Sequence, residues 1–69
     1  MYYLDIDYDD LPDARDIIGN RGNLPIPHAA YGHPSDPDIH RMEFEERENR
    51  DKVKNGLCRR GIECFTLDA

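Results

Sequence analysis

The sequence has no long apolar run. Nothing in its 69 residues approaches the ~20 apolar positions needed to span a bilayer. Its first residues, Met1-Tyr2-Tyr3-Leu4-Asp5, show neither a basic flank nor an apolar targeting segment, so a cytoplasmic protein is expected. Cysteine is scarce. Cys58 and Cys64 form no C-x-x-C, which leaves neither a disulfide framework nor a zinc knuckle. Small buried apolar residues are the expectation for both, with a redox pair as the alternative. Serine occurs only at Ser35, between prolines, and G-x-S-x-G, phosphate-binding glycine loops and H-E-x-x-H are all missing. Neither an enzyme nor a cofactor is therefore expected. Positive charge is also short, with 9 basic against 15 acidic residues and a net charge of -6. Direct binding to nucleic acid or to an anionic membrane needs a basic face, so the balance points to a basic partner or simply to solubility.

What is present fits one domain, residues 1–69. A chain this short buries a thin core, and conformational entropy of roughly 1.5 kcal/mol per residue nearly cancels what burial returns. A dimer, or a partner that completes the core, is physically reasonable.

The clearest element is a strand over residues 2–8. Tyr2, Leu4, Ile6 and Tyr8 fall on one face, and Tyr3, Asp5, Asp7 and Asp9 on the other. Asp10 reads as an N-cap, with Pro12 in the first turn of a short helix carrying Leu11, Ala14, Ile17 and Ile18, stopped by Gly19. Residues 20–38 are dense in Asn, Gly and Pro and read as an irregular packed loop with one helical turn near Ala29. A second strand runs over 39–46, with His40, Met42 and Phe44 inward. Asn49 is placed to cap a helix over 49–60, with Val53 and Leu57 inward and Gly61 as stop. Within it Asn55-Gly56 conflicts, being a strong hairpin pair. A last strand covers 62–68, apolar on both sides and so expected in the middle of the sheet. The fold expected is a small α+β domain, β-α-β-α-β. Its three-stranded sheet carries two short helices on one face and a right-handed crossover between the last two strands.

Two clusters bear chemistry. His28, His33, Asp36, Asp38 and His40 are metal-binding residue types, yet their spacing matches no closed site and two prolines, Pro34 and Pro37, interrupt them. No metal is assigned. The second cluster is acidic: residues 1–16 hold six aspartates against the single Arg15, whereas residues 51–60 are basic. Alternate strand residues stand roughly 6.6–6.8 Å apart on one side, a pitch comparable to that of successive phosphates. Asp5, Asp7 and Asp9 would form such a row, and Glu43 and Glu45 a second on the next strand. At ~7 Å in water each like-charge neighbour costs only about 0.6 kcal/mol. A solvated outer face tolerates the row as readily as a binding face does.

In these acidic runs, Asp5-Ile6-Asp7-Tyr8-Asp9-Asp10 and Glu43-Phe44-Glu45-Glu46, and in its small size, the chain resembles the acidic inhibitors of phages and mobile elements, notably anti-CRISPR and DNA-mimic antirestriction proteins. The resemblance implies a stoichiometric inhibitor that occupies the DNA-binding channel of a CRISPR effector complex. The nine basic residues depart from the most extreme mimics, so a single acidic face is the version expected here. The expected partner-binding residues are Asp5, Asp7, Asp9 and Asp10, assisted by Asp13, Asp16, Glu43 and Glu45. Their partner would be a basic nucleic-acid-binding protein or CRISPR effector complex, met by a monomer or homodimer. The competing class is a small structural or assembly protein that associates through loop 20–38 and apolar surface.

Overall fold

The computed structural model describes residues 1–19 and 22–69. Asn20, the first of the expected loop breakers, lies outside them. Among the described residues the chain runs β1 (Tyr2–Asp7), a 3-10 turn (Tyr8–Asp10), α1 (Leu11–Ile17), β2 (Ala29–His33), β3 (Asp36–Phe44), α2 (Arg47–Arg59) and β4 (Cys64–Asp68). The class is α+β, but the sheet has four strands in the order β2-β3-β1-β4, every neighbouring pair antiparallel. This β-α-β-β-α-β path with β1 and β3 central is the split β-α-β arrangement of ferredoxin-like domains. It fixes a scaffold and no function.

Three expectations change. The fourth strand comes from inside the expected loop: Ala29–His33 pairs with β3, from Ala29 opposite Glu43 to His33 opposite Asp36. Its prolines do not prevent this. Pro25, Pro27 and Pro34 fall outside the strands, and Pro37 sits in the overhang of β3 before pairing with β1 begins at Ile39. The last strand is at an edge rather than in the middle, because β1 has β3 on one side and β4 on the other. Its exposed Phe65 and Leu67 mark an uncovered face, not burial on both sides. Finally, β3 and β4 run parallel with β1 between them, so the crossover through α2 spans a strand instead of joining neighbours.

Alternation decides which face is buried. Leu4 and Ile6 of β1 share a face with His40, Met42 and Phe44 of β3, and both helices cover it. Leu4, Ile6, Ala14, Met42, Phe44, Val53, Leu57 and Ile62 form the core, each large apolar member contributing about 1.5–3 kcal/mol. Tyr8 leaves this face, since the chain turns off the sheet after Asp7, and it is exposed. His40 is buried, and its ring meets that of Tyr8 edge-on at 6.2 Å. Among the described residues Arg50 is the one charged side chain buried in this layer. Its Nη1 donates to the Asp68 carboxylate at 2.7 Å and to the Tyr3 carbonyl, and its Nε donates to Asp51, which ties α2 to β1 and β4.

Both helices stop at the glycines the sequence marks, Gly19 and Gly61, but neither begins on the expected side-chain cap, and Asn49 lies inside α2. Asp10 stands at the N-cap position of α1 but makes no side-chain cap bond, and Pro12 lies in the first turn. α2 starts at Arg47 with Glu46 as N-cap, two residues before Asn49. It runs unbroken through Asn55-Gly56. A Cβ at Gly56 would stand 2.5 Å from Leu24 Cδ1, so the glycine is explained by a close approach and not by a turn. At the far end the Ile62 N–H donates to the Leu57 carbonyl and the Gly61 N–H to that of Cys58, with Gly61 at φ +81. This is a Schellman cap, sealed by contact of Leu57 and Ile62 in the core.

Candidate partner-binding surface

The open face of the sheet carries the side chains that alternate with the core: Tyr3, Asp5 and Asp7 of β1, Ile39, Arg41 and Glu43 of β3, Tyr31 of β2, and Phe65 and Leu67 of β4. Asp5 and Glu43 therefore share one face, as their strand positions suggest. The row itself does not survive. Asp5 lies opposite Arg41, which donates from Nε and Nη2 to the two carboxylate oxygens at 2.8 and 2.9 Å. Both side chains are only 15% exposed. The Arg41 guanidinium also rests 4.9 Å from the Tyr3 ring centroid. A bidentate, partly desolvated pair of this kind is neutralised from within and offers little to a partner. Glu43 stands against Tyr31, whose pKa is raised by desolvation and by that carboxylate. Glu45 lies past the end of β3, paired with His28 Nδ1 at 3.0 Å.

The remaining aspartates leave the sheet plane. β1 ends at Asp7, so Asp9 and Asp10 sit on the 3-10 turn, while Asp13 and Asp16 lie on α1 in the helical layer. Asp7, Asp9, Asp13 and Asp16 are exposed and Asp10 is half-buried. The eight expected residues thus separate into a neutralised pair member, an open-face glutamate, a glutamate at the opposite end, and a group of five where β1 hands over to α1.

Antiparallel pairing adds two residues that the sequence grouped with the histidines as metal-binding types. Because Asp7 lies opposite Ile39, the overhanging start of β3 carries Asp36 and Asp38 to the same end of the sheet. Both are exposed, and Asp36 accepts from the Asp38 N–H in a local turn. Asp7, Asp9, Asp10, Asp36 and Asp38 therefore gather at one end, and none of them has an ion-pair partner among the described residues. The signal available beforehand was the alternation of Asp36 and Asp38, readable only once β3 is known to start at Asp36. The histidines do not join them as a metal site. His28 is at the other end of β3, His40 is on the core side, and His33 Nδ1 accepts from the Ser35 N–H. Among the described residues no group of three His, Cys, Asp or Glu could hold a metal ion.

Among the described residues, four cations are paired elsewhere. Arg41 holds Asp5, Arg47 and Arg50 hold Asp68, and Lys52 lies near Glu48. The pairs of Arg47 and Lys52 are exposed and add little to stability, and Arg15 of α1, which lines one surface hollow with Tyr8 and Asp9, is a cation beside the acidic end.

The open face is also apolar. Tyr3 lies opposite Leu67, Asp5 opposite Phe65, and Tyr31 opposite Arg41. Phe65 is 54% and Leu67 49% exposed, with no helix over them. No helix among the described residues is long and apolar enough to cross a membrane.

The chain matches no family model, no curated protein and no solved structure.

Proposed function

We propose that this chain is a non-enzymatic acidic binding protein of the cytoplasm, a stoichiometric inhibitor in the manner of anti-CRISPR proteins. It covers the DNA-binding surface of a nucleic-acid-binding complex with its acidic end and does not itself bind nucleic acid. The observation that carries this reading is the gathering of Asp7, Asp9, Asp10, Asp36 and Asp38 at one end of the sheet, without ion-pair partners among the described residues. Lysine and arginine side chains that bind phosphates meet such a surface on favourable terms. Association is then steered by long-range attraction, which raises the on-rate and makes it sensitive to salt. Asp13 and Asp16 extend the negative surface down α1, whereas Asp5 acts as a strut inside the sheet.

A second reading is supported by a separate observation. The exposed Phe65 and Leu67 beside Tyr3 give a face suited to a homodimer or an assembly partner. One experiment distinguishes the two. The wild-type chain, Asp7→Lys/Asp9→Lys/Asp38→Lys and Phe65→Ser/Leu67→Ser are added in equimolar amount to CRISPR effector complexes before labelled target DNA, and bound DNA is measured. Inhibition is expected from the wild type and the serine variant, and its loss from the lysine variant. If only the serine variant loses inhibition, the partner meets the apolar face. If the wild type leaves DNA binding untouched, the inhibitor reading is wrong.

A further inference from the structure

The core face of the sheet is left bare toward its β2 edge. On that face β2 carries only small residues, Ala30 opposite Met42 and Gly32 opposite His40. Nothing stands within 4 Å of the Cβ that Gly32 lacks. α2 packs on β1, β3 and β4, and α1 ends at Ile17. Between α1 and β2 a hollow of about 290 Å³ remains. Leu11, Ala14 and Met42, all buried, give it an apolar floor, and Ile26, 68% exposed, lines it from the segment before β2.

Two nitrogen-bearing side chains line the same hollow, Arg15 and His40. His40 is only 8% exposed and makes no side-chain hydrogen bond among the described residues. Yet among those residues no buried side-chain nitrogen or oxygen is sealed off without a partner. The ring nitrogens therefore keep open surface, and the hollow is where the ring is open. Burial, then the Arg15 charge, lowers the His40 pKa, so the ring is mostly neutral at about pH 7 and has one N–H to donate. Arg15 itself has no ion-pair partner among the described residues.

We propose that this hollow binds a small apolar monocarboxylate of the medium-chain fatty acid type. Both donors line one small hollow, so a single carboxylate accepts from the Arg15 guanidinium and from the His40 N–H. The hydrocarbon chain lies over Met42 and covers Ile26, which water now touches. An apolar cavity of about 150 Å³ is enough for benzene, so this one has room for a chain of several carbons. Charge selects a monoanion. One guanidinium and one neutral donor match a single negative charge, and a phosphate dianion would bring its second charge close to Asp9, which shares the neighbouring hollow with Arg15. The site uses none of the carboxylates gathered at the acidic end.

The test titrates the full chain with octanoate at about pH 7, by calorimetry and by nuclear magnetic resonance of the histidine rings. One octanoate should bind per chain and move the His40 ring resonances. Each methylene buried is worth roughly fourfold in affinity, so hexanoate should bind several-fold more weakly. Octanol, of equal length but uncharged, should bind at least about tenfold more weakly, and Arg15→Gln should weaken octanoate by about the same factor. Ala30→Phe, which fills the hollow from β2, should abolish binding, with circular dichroism matching the wild type. No saturable binding of octanoate at millimolar concentration overturns the proposal. So does equal affinity for octanoate and octanol, or octanoate binding that Arg15→Gln leaves unchanged.

Discussion

His40 shows what a single residue can do to the stability of so small a domain. Its ring is buried on the core side of β3 beside Tyr8. Burial, reinforced by the Arg15 charge, lowers its pKa below the ordinary histidine value of 6.5. The unfolded chain then binds a proton at higher pH than the folded one does. Stability from the neutral ring is complete above 6.5 and is lost as pH falls through 6.5 toward the folded value. Between about pH 7 and about pH 5.5, above most carboxylate titration, the urea midpoint of the wild type should fall. For His40→Gln the slope over the same window should be clearly shallower, whatever His28 and His33 contribute to both. Equal slopes would remove His40 as the cause. Asp5 teaches the complementary lesson. Its outward position was legible from alternation alone, but its neutralisation was not, because the partner Arg41 lies 36 residues away and meets it only through the β1–β3 register.

At the level of elements, local signals located most of the chain. β1, α1, β3 and α2 lie within a few residues of where periodicity and caps put them, since those segments carry their own apolar stripe. β2 was illegible for a physical reason. Ala29-Ala30-Tyr31-Gly32-His33 has little strand propensity, sits among prolines and is held by pairing with β3, a context that sequence periodicity does not carry. Missing β2 also hid the acidic end, because the β2–β3 hairpin starts β3 early enough to deliver Asp36 and Asp38. The glycines sort in the same way. Asn55-Gly56 resembles a hairpin turn, yet it lies inside α2, and the glycine is there because Leu24 occupies the space a side chain would need. Gly61 is a true stop, in the left-handed region with nothing near its missing Cβ. Backbone strain alone then sets the effect of substitution there. Gly61→Ala should lower unfolding free energy by about 1 kcal/mol, and Gly61→Asn by roughly half as much, since asparagine tolerates that conformation better. Urea denaturation checks both, and equal values for the two variants would mean that packing, not φ, is responsible.

For the molecule as a whole, salt should act in opposite directions on folding and on binding. The chain carries a net charge of -6, and Asp7, Asp9, Asp10, Asp36 and Asp38, without ion-pair partners among the described residues, gather at one end. Raising NaCl from about 0.1 M to about 1 M shortens the Debye length from about 10 Å to about 3 Å. Repulsion among exposed Asp7, Asp9, Asp36 and Asp38 is then screened, which favours the folded state. Ion pairs are screened too, but the Asp5–Arg41 pair is mostly shielded from solvent and the exposed pairs contribute little to begin with. Relief of repulsion therefore wins, and the thermal midpoint of the wild type should rise over this range. In Asp7→Asn/Asp38→Asn the rise should be markedly smaller, because two members of the cluster no longer repel the rest. Attraction between the same carboxylates and a cationic partner is screened by the same ions, so the complex should dissociate as the free protein grows more stable. Measuring both quantities on one salt series separates a charge-driven partner from one bound through Phe65 and Leu67, whose affinity would hold steady or strengthen as salt is added.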